Sequence, residues 1–200
     1  MAQAATAESE HVEHHHTSTG LDNRKIAMWA FLGSECLLFG ALISSYLLYR
    51  SRGPGTHPSD IYDIPFTSVS SFVLLMSSLT MVLALAGIQR GQHRNARVWL
   101  MATALLGSVF IAGQVYEFST FVAEGMTLAT NPAASAFYLL TGFHGTHVSL
   151  GILMLLSLVG MSLAGKLPSE RSLIVELVGL YWHFVDIVWI VIFTVVYLIK

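Results

Sequence analysis

Seven ionisable side chains lie within long apolar stretches of this chain: Glu35, Glu117, His144, His147, Glu176, His183 and Asp186. At membrane depth such groups cost roughly 3 kcal/mol each, so each requires a partner or a function. Their types admit three chemistries. One histidine from each of two helices can hold a haem, two histidines and a carboxylate can hold a non-haem metal, and alternating carboxylates and imidazoles can relay protons. Helical spacing decides which residues can meet. His144 and His147 are three positions apart and share a helical face. Glu176 and His183 are seven apart and nearly eclipsed, with Asp186 one turn further on, so one helix carries a polar stripe. No Lys or Arg lies at comparable depth to neutralise the acids.

His144, His147, His183 and Asp186 form the candidate ligand set of a free-standing membrane haem anchor or an ion pathway. The competing reading is an interhelical hydrogen-bond cluster that fixes helix register and binds nothing. Two of the three histidines at this depth share one helix, which favours the second reading, with no catalytic or metal site. Glu35 stands open between a protonated packing element and a proton carrier. Cys36 is the single thiol. That excludes internal disulfides, thiolate-held iron–sulfur clusters, a two-cysteine copper centre and the C-x-x-C-H haem attachment.

The elements that must position these groups follow from composition. Of 200 residues, 54% are hydrophobic and only 11% charged, against about 25% charged in a soluble domain. The basic residues do not cluster as phosphate contacts require, which excludes a nucleic-acid binder. After a polar tail over 1–23, which carries His11, His14, His15 and His16 among acids, five apolar runs occupy about 26–49, 66–88, 98–118, 135–164 and 173–199. Each approaches or exceeds the roughly 20 residues a helix needs to cross a bilayer. The tail lacks the basic start and apolar core of a signal peptide. The expected fold is therefore all-α: one polytopic domain over 24–200 with five transmembrane helices and no haem or metal of its own.

The tail flank, second connection and fourth connection hold seven basic residues, while Arg50, Arg52 and Lys200 fall on the other side. The positive-inside rule then predicts the N-terminus inside and the C-terminus outside. Ala30, Gly33, Gly40 and Ser44 form a small-residue stripe suited to close helix packing. Tyr181, Trp182, Trp189 and Tyr197 read as packing and interface anchors, and Tyr46, Tyr49 and Trp99 as an interfacial belt.

Four segments carry a family resemblance. Tyr138-Leu-Leu-Thr-Gly-Phe-His-Gly-Thr-His-Val148 and Tyr181-Trp-His-Phe-Val-Asp-Ile-Val-Trp189, the latter running on to Tyr197, resemble the last two helices of subunit III of haem–copper oxidases, in its short five-helix bacterial form. Gln114-Val-Tyr-Glu-Phe118 and Phe31-Leu-Gly-Ser-Glu-Cys36 are similar to that family's Tyr-Glu pair and membrane-buried glutamate. The resemblance spans Lys25 to Lys200. It implies an accessory, non-catalytic subunit in a bacterial plasma membrane, part of an aerobic respiratory oxidase that reduces oxygen to water and translocates protons. Haem and copper would reside in a partner subunit, and the partners would be subunits I and II, possible small subunits, and phospholipids held in a cleft. Glu35, at the position of the family's carbodiimide-reactive glutamate, would line that cleft. Tyr116, Glu117, His144, His147, Glu176, His183 and Asp186 would form a structural polar cluster. The complex would belong to the oxidoreductases and translocases. For the electron donor, Tyr181-Trp-His-Phe-Val-Asp and Gly142-Phe-His-Gly are closer to cytochrome c oxidases. The His-bearing tail and Asp63-Ile-Pro-Phe66 lean to the quinol alternative.

Overall fold

The computed structural model describes residues 22–55, 58–167 and 172–199. Most of the polar tail thus lies outside the described residues. Five long helices appear, with no strand among the described residues: α1 (Asn23–Tyr49), α2 (Ile64–Gln89), α3 (His93–Ala123), α4 (Pro132–Leu163) and α5 (Ser172–Phe193), which ends in a π-helical turn over Thr194–Leu198. All five are long and apolar enough to cross a membrane. α3 and α4, at 31 and 32 residues, overshoot the predicted runs at most of their ends. Hydropathy reports only the stretch inside the hydrocarbon, and a helix continues into the interface while its backbone bonds persist.

Local signals set the starts. Asp22, Asp63 and Asn131 cap α1, α2 and α4 by accepting from the backbone N–H of Arg24, Phe66 and Ala134 at 2.8, 3.1 and 2.7 Å. Pro65 and Pro132 stand in first turns, where a missing N–H costs nothing. α2 and α3 stop at Gly91 (φ 71°) and Gly125 (φ 84°), each in the left-handed conformation. The next residue then bonds back to Gly87 O or Phe121 O at 2.8 and 2.9 Å, closing the helix end.

α5 is the axis of the bundle, packing on α2, α4 and α1. Its Trp182 is fully buried and touches three helices. The indole ring lies against Gly107 of α3 and Gly151 of α4, where an added Cβ would stand 2.5 and 2.8 Å from it. Its Nε1 donates to Ser77 Oγ of α2 at 2.9 Å. Two turns on, Trp189 donates to Ser71 Oγ of α2 at 2.8 Å and meets Phe110 of α3 edge-on. These tryptophans are core residues, as are Tyr181 and Tyr197, and not interface anchors. Tyr46 is likewise buried, which removes it from the interfacial belt; Tyr49 and Trp99 are exposed.

α1 is held differently. It leans on α4 and α5 and buries only Leu32, Phe39 and Tyr46, each seven residues from the next. Ala30, Gly33, Gly40 and Ser44 face outward, and a Cβ added at Gly33 or Gly40 would meet nothing. The small-residue stripe is therefore not an internal helix contact, because the aromatic seam turns the opposite face of α1 inward.

Candidate functional site

The polar residues expected to form one cluster are divided among separate places. Between α1 and α4, Glu35 Oε2 and His147 Nε2 lie 3.1 Å apart, with the two side chains 14% and 12% exposed. His147 Nδ1 is 2.7 Å from Phe143 O. A carbonyl can only accept, so Nδ1 carries a hydrogen. The bond to Glu35 then contains one further proton, residing on the carboxyl or on the imidazole, and the pair is neutral overall in either case. This lets a carboxyl group lie at depth without a Lys or Arg. Tyr181 O–H donates to His147 O at 3.0 Å and Phe39 meets the imidazole edge-on, so α5 and the α1 seam both steady the pair.

A second place joins α2 to α5. Ser78 Oγ is 3.0 Å from His183 Nδ1 and makes a short hydrogen bond to Asp186 Oδ2. The serine has one hydrogen. Given to Asp186, it leaves His183 Nδ1–H as the donor to Ser78, which makes a directional chain from imidazole to hydroxyl to carboxyl. Asp186 Oδ1 has no partner among the described residues.

The third lies where the start of α2 meets the ends of α3 and α5. Thr67 and Tyr197 hydroxyls donate to Glu117 Oε1 at 2.7 and 3.1 Å. The π-helical turn carries Tyr197. Its ring packs 4.4 Å from that of Tyr62, whose hydroxyl lies 2.9 Å from that of Tyr46 in α1. Burial, then the neighbouring Tyr46, holds the Tyr62 phenol above its ordinary range, so it remains a neutral hydrogen-bonding group.

Three predicted residues stand apart from these. His144 is fully buried, stacks on Trp189 with ring centroids 4.8 Å apart, and has neither ring nitrogen hydrogen-bonded among the described residues. Glu176 pairs with Lys25 Nζ at 2.6 Å. That corrects the expectation of an acid without a basic partner: Glu176 sits in the first turns of α5, level with the start of α1, and not at mid-membrane. Tyr116 is 62% exposed against Phe66, outside any polar cluster. Among the described residues, no three His, Cys, Asp or Glu side chains converge in a way that would hold a metal.

Sequence reading missed the hydroxyls of α2 that serve these acids and indoles: Thr67, Ser71, Ser77 and Ser78. The signal was present, since this span is unusually rich in Ser and Thr. It also missed Gln114 of α3, whose amide donates to Thr141 O of α4 at 2.8 Å.

Comparison with known proteins identifies the family. The chain matches the family described as Cytochrome c oxidase subunit III over residues 3–200. It is 37% identical over 177 residues to "Cytochrome c oxidase subunit 3" of Bacillus sp. (strain PS3), covering 88% of this chain and 86% of that one. It is 36% identical over 177 residues to "Probable quinol oxidase subunit 3" of Staphylococcus saprophyticus, covering 88% of each. Over 200 residues it is 36% identical to "Cytochrome bo(3) ubiquinol oxidase subunit 3" of Pseudomonas aeruginosa, covering 99% of this chain and 94% of that one. Five membrane-spanning helices with polar groups tied between them, and a family match over nearly the whole length, place the chain in the cytochrome c oxidase subunit III family, as the multi-pass bacterial membrane subunit III of a haem–copper terminal oxidase.

Proposed function

We propose that this subunit supports the oxidase laterally and takes no part in redox chemistry itself. The observation that carries this reading is that Glu35, Glu117, His147, His183 and Asp186 each bond a side chain on another helix of the same chain. Such bonds set helix positions, and they hold these groups at separate places instead of turning them toward one ligand. In this reading haem and copper belong to the partner subunits, subunits I and II are its neighbours, and small subunits can add to them. The start of α1 and the Arg97 end of α3 face the cytoplasm, as the basic residues of those flanks favour. The outward face of α1, along Ala30, Gly33, Leu37, Gly40 and Ser44, takes up phospholipid, with Glu35 close behind it as the polar group of that flank.

The test is to compare the oxidase isolated with and without this chain. The expected result is near-normal initial oxygen reduction by the depleted complex, followed by faster inactivation over many turnovers. Equal resistance to inactivation in both preparations would remove the supporting role.

For the electron donor we assign cytochrome c, on the Tyr181-Trp-His-Phe-Val-Asp and Gly142-Phe-His-Gly segments. A second reading, quinol, is favoured by the match over 99% of the chain to a relative named as a ubiquinol oxidase subunit. Oxygen uptake by the isolated complex with reduced cytochrome c, and separately with a quinol, decides between the two.

A further inference from the structure

Beside Asp186, a second polar group within the spans, Gln114, is satisfied on only one side. Gln114 is 7% exposed, and its Nε2 is committed to Thr141 O at 2.8 Å. That bond fixes the amide orientation. Its Oε1 accepts no hydrogen bond from the described residues, and it lies over Gly145, 2.7 Å from where a Cβ there would stand. Gln114 and Gly145 both line a groove of about 300 Å³ between α3 and α4, together with Ile111, Val115, Gly142 and Ser149.

The hydroxyl donors of the groove are already used, which leaves only the second N–H of Gln114 beside its free acceptor. Ser149 gives its hydrogen to Gly145 O at 2.8 Å, and the neighbouring Thr146 gives its own to Gly142 O at 2.9 Å. Gly142, Gly145 and Ser149 follow one another at three- and four-residue steps; the Gln114 amide rests on Gly145, and Gly142 beside it stays open, so a second backbone can come close there. Hydrocarbon tails can fill such a space, but they bring no N–H or O–H to Gln114. A helix can do both.

We infer that the α3–α4 groove seats a transmembrane helix of a neighbouring oxidase subunit, one that carries a hydrogen-bond donor side chain opposite Gln114 Oε1. This inference rests on the reading of the chain as part of an oxidase complex and names the face at which one partner docks. The donor is a hydroxyl, amide or indole N–H, and the residues flanking it are small.

The experiment uses the complex isolated in mild detergent with benzoylphenylalanine in place of the exposed Val115 on the groove wall. Illumination is expected to join this chain to another polypeptide of the complex, with the adduct mapping to a membrane-spanning segment. Gly142→Leu fills the groove while its Cβ meets no atom of this chain, and should abolish the adduct. Gly33→Leu, on the outward face of α1, should leave it unchanged. Gln114→Leu should reduce the adduct by about threefold or more, the worth of one intramembrane hydrogen bond. An intact complex giving only phospholipid adducts, only adducts with a second copy of this chain, or none, overturns the docking inference alone. Isolation of the chain with no oxidase subunit attached overturns the functional reading and this inference with it.

Discussion

α5 and α1 run in the same direction through one bundle and are held by different means. α5 buries nine residues of its helical segment, including two tryptophans that each donate a hydrogen bond to a serine of α2. α1 buries three, at seven-residue intervals, and is tied at points: Lys25 to Glu176, Glu35 to His147, Tyr46 to Tyr62 and Arg50 to Ile199 O. The difference separates a framework from a flank. Continuous van der Waals packing fixes α5, because helices in lipid gain little from burial alone. α1 is pinned by a narrow seam and a few polar contacts, which leaves most of its surface for lipid or another chain.

That contrast can be broken at its strong end first. Trp182→Ala removes the ring wedged between Gly107 and Gly151 and strands Ser77, at a cost of about 3–5 kcal/mol. The expected outcome is a subunit missing from the isolated complex, measured by its stoichiometry. Phe39→Ala removes the middle of the α1 seam and should cost about 3 kcal/mol, the low end for such changes, because α1 is held by few contacts and can close on the space. Hydrogen exchange should quicken in α1 and stay unchanged in α2 and α5. Equal acceleration in all three would erase the distinction between framework and flank.

Glu117→Ala strands the hydroxyl of Tyr197, while Thr67 keeps Asp63 O as an acceptor, and should cost about 1–3 kcal/mol, read as a fall in the temperature at which the subunit leaves the complex. Glu117→Gln retains an acceptor and should recover most of that loss. A double-mutant cycle on Glu35 and His147 should show a coupling of about 0.6–1.7 kcal/mol, the range for hydrogen bonds between membrane helices. Glu35→Gln alone should leave the complex assembled with a modest loss of oxygen reduction. Complete loss would make Glu35 an obligatory proton carrier. The smallest effect belongs to Lys25→Ala. Both partners of that ion pair are about a third exposed, so it should cost about 0.2–1 kcal/mol and fade in high salt.

The five helices were legible because a bilayer imposes length and apolarity on every crossing segment, and the caps at Asp63 and Asn131 stand as visible punctuation. Pairings were less so. Spacing put Glu176, His183 and Asp186 on one stripe, yet Glu176 turns to Lys25 while the other two meet Ser78. His144 and His147 share a face, but the angle between them sends one into a cage of aromatic rings and the other to Glu35. Hydroxyl partners were invisible because Ser and Thr in a membrane helix bond their own backbone by default, as Ser68 does with Ile64 O. Which of them reach across depends on the neighbouring helix.

By itself, the sequence determined that this chain crosses a membrane five times, that the ionisable groups within its apolar runs are acids and imidazoles, and which family its motifs resemble. These follow from composition and from helical period, which are properties of one segment at a time. Only the tertiary structure decided that Glu35 meets His147, that the tryptophans are core, that the small residues of α1 face outward, and that Gln114 turns a free acceptor into a groove. Those outcomes depend on the rotation and depth of each helix against the others, and packing between apolar surfaces leaves both open until particular rings, glycines and hydroxyls interlock.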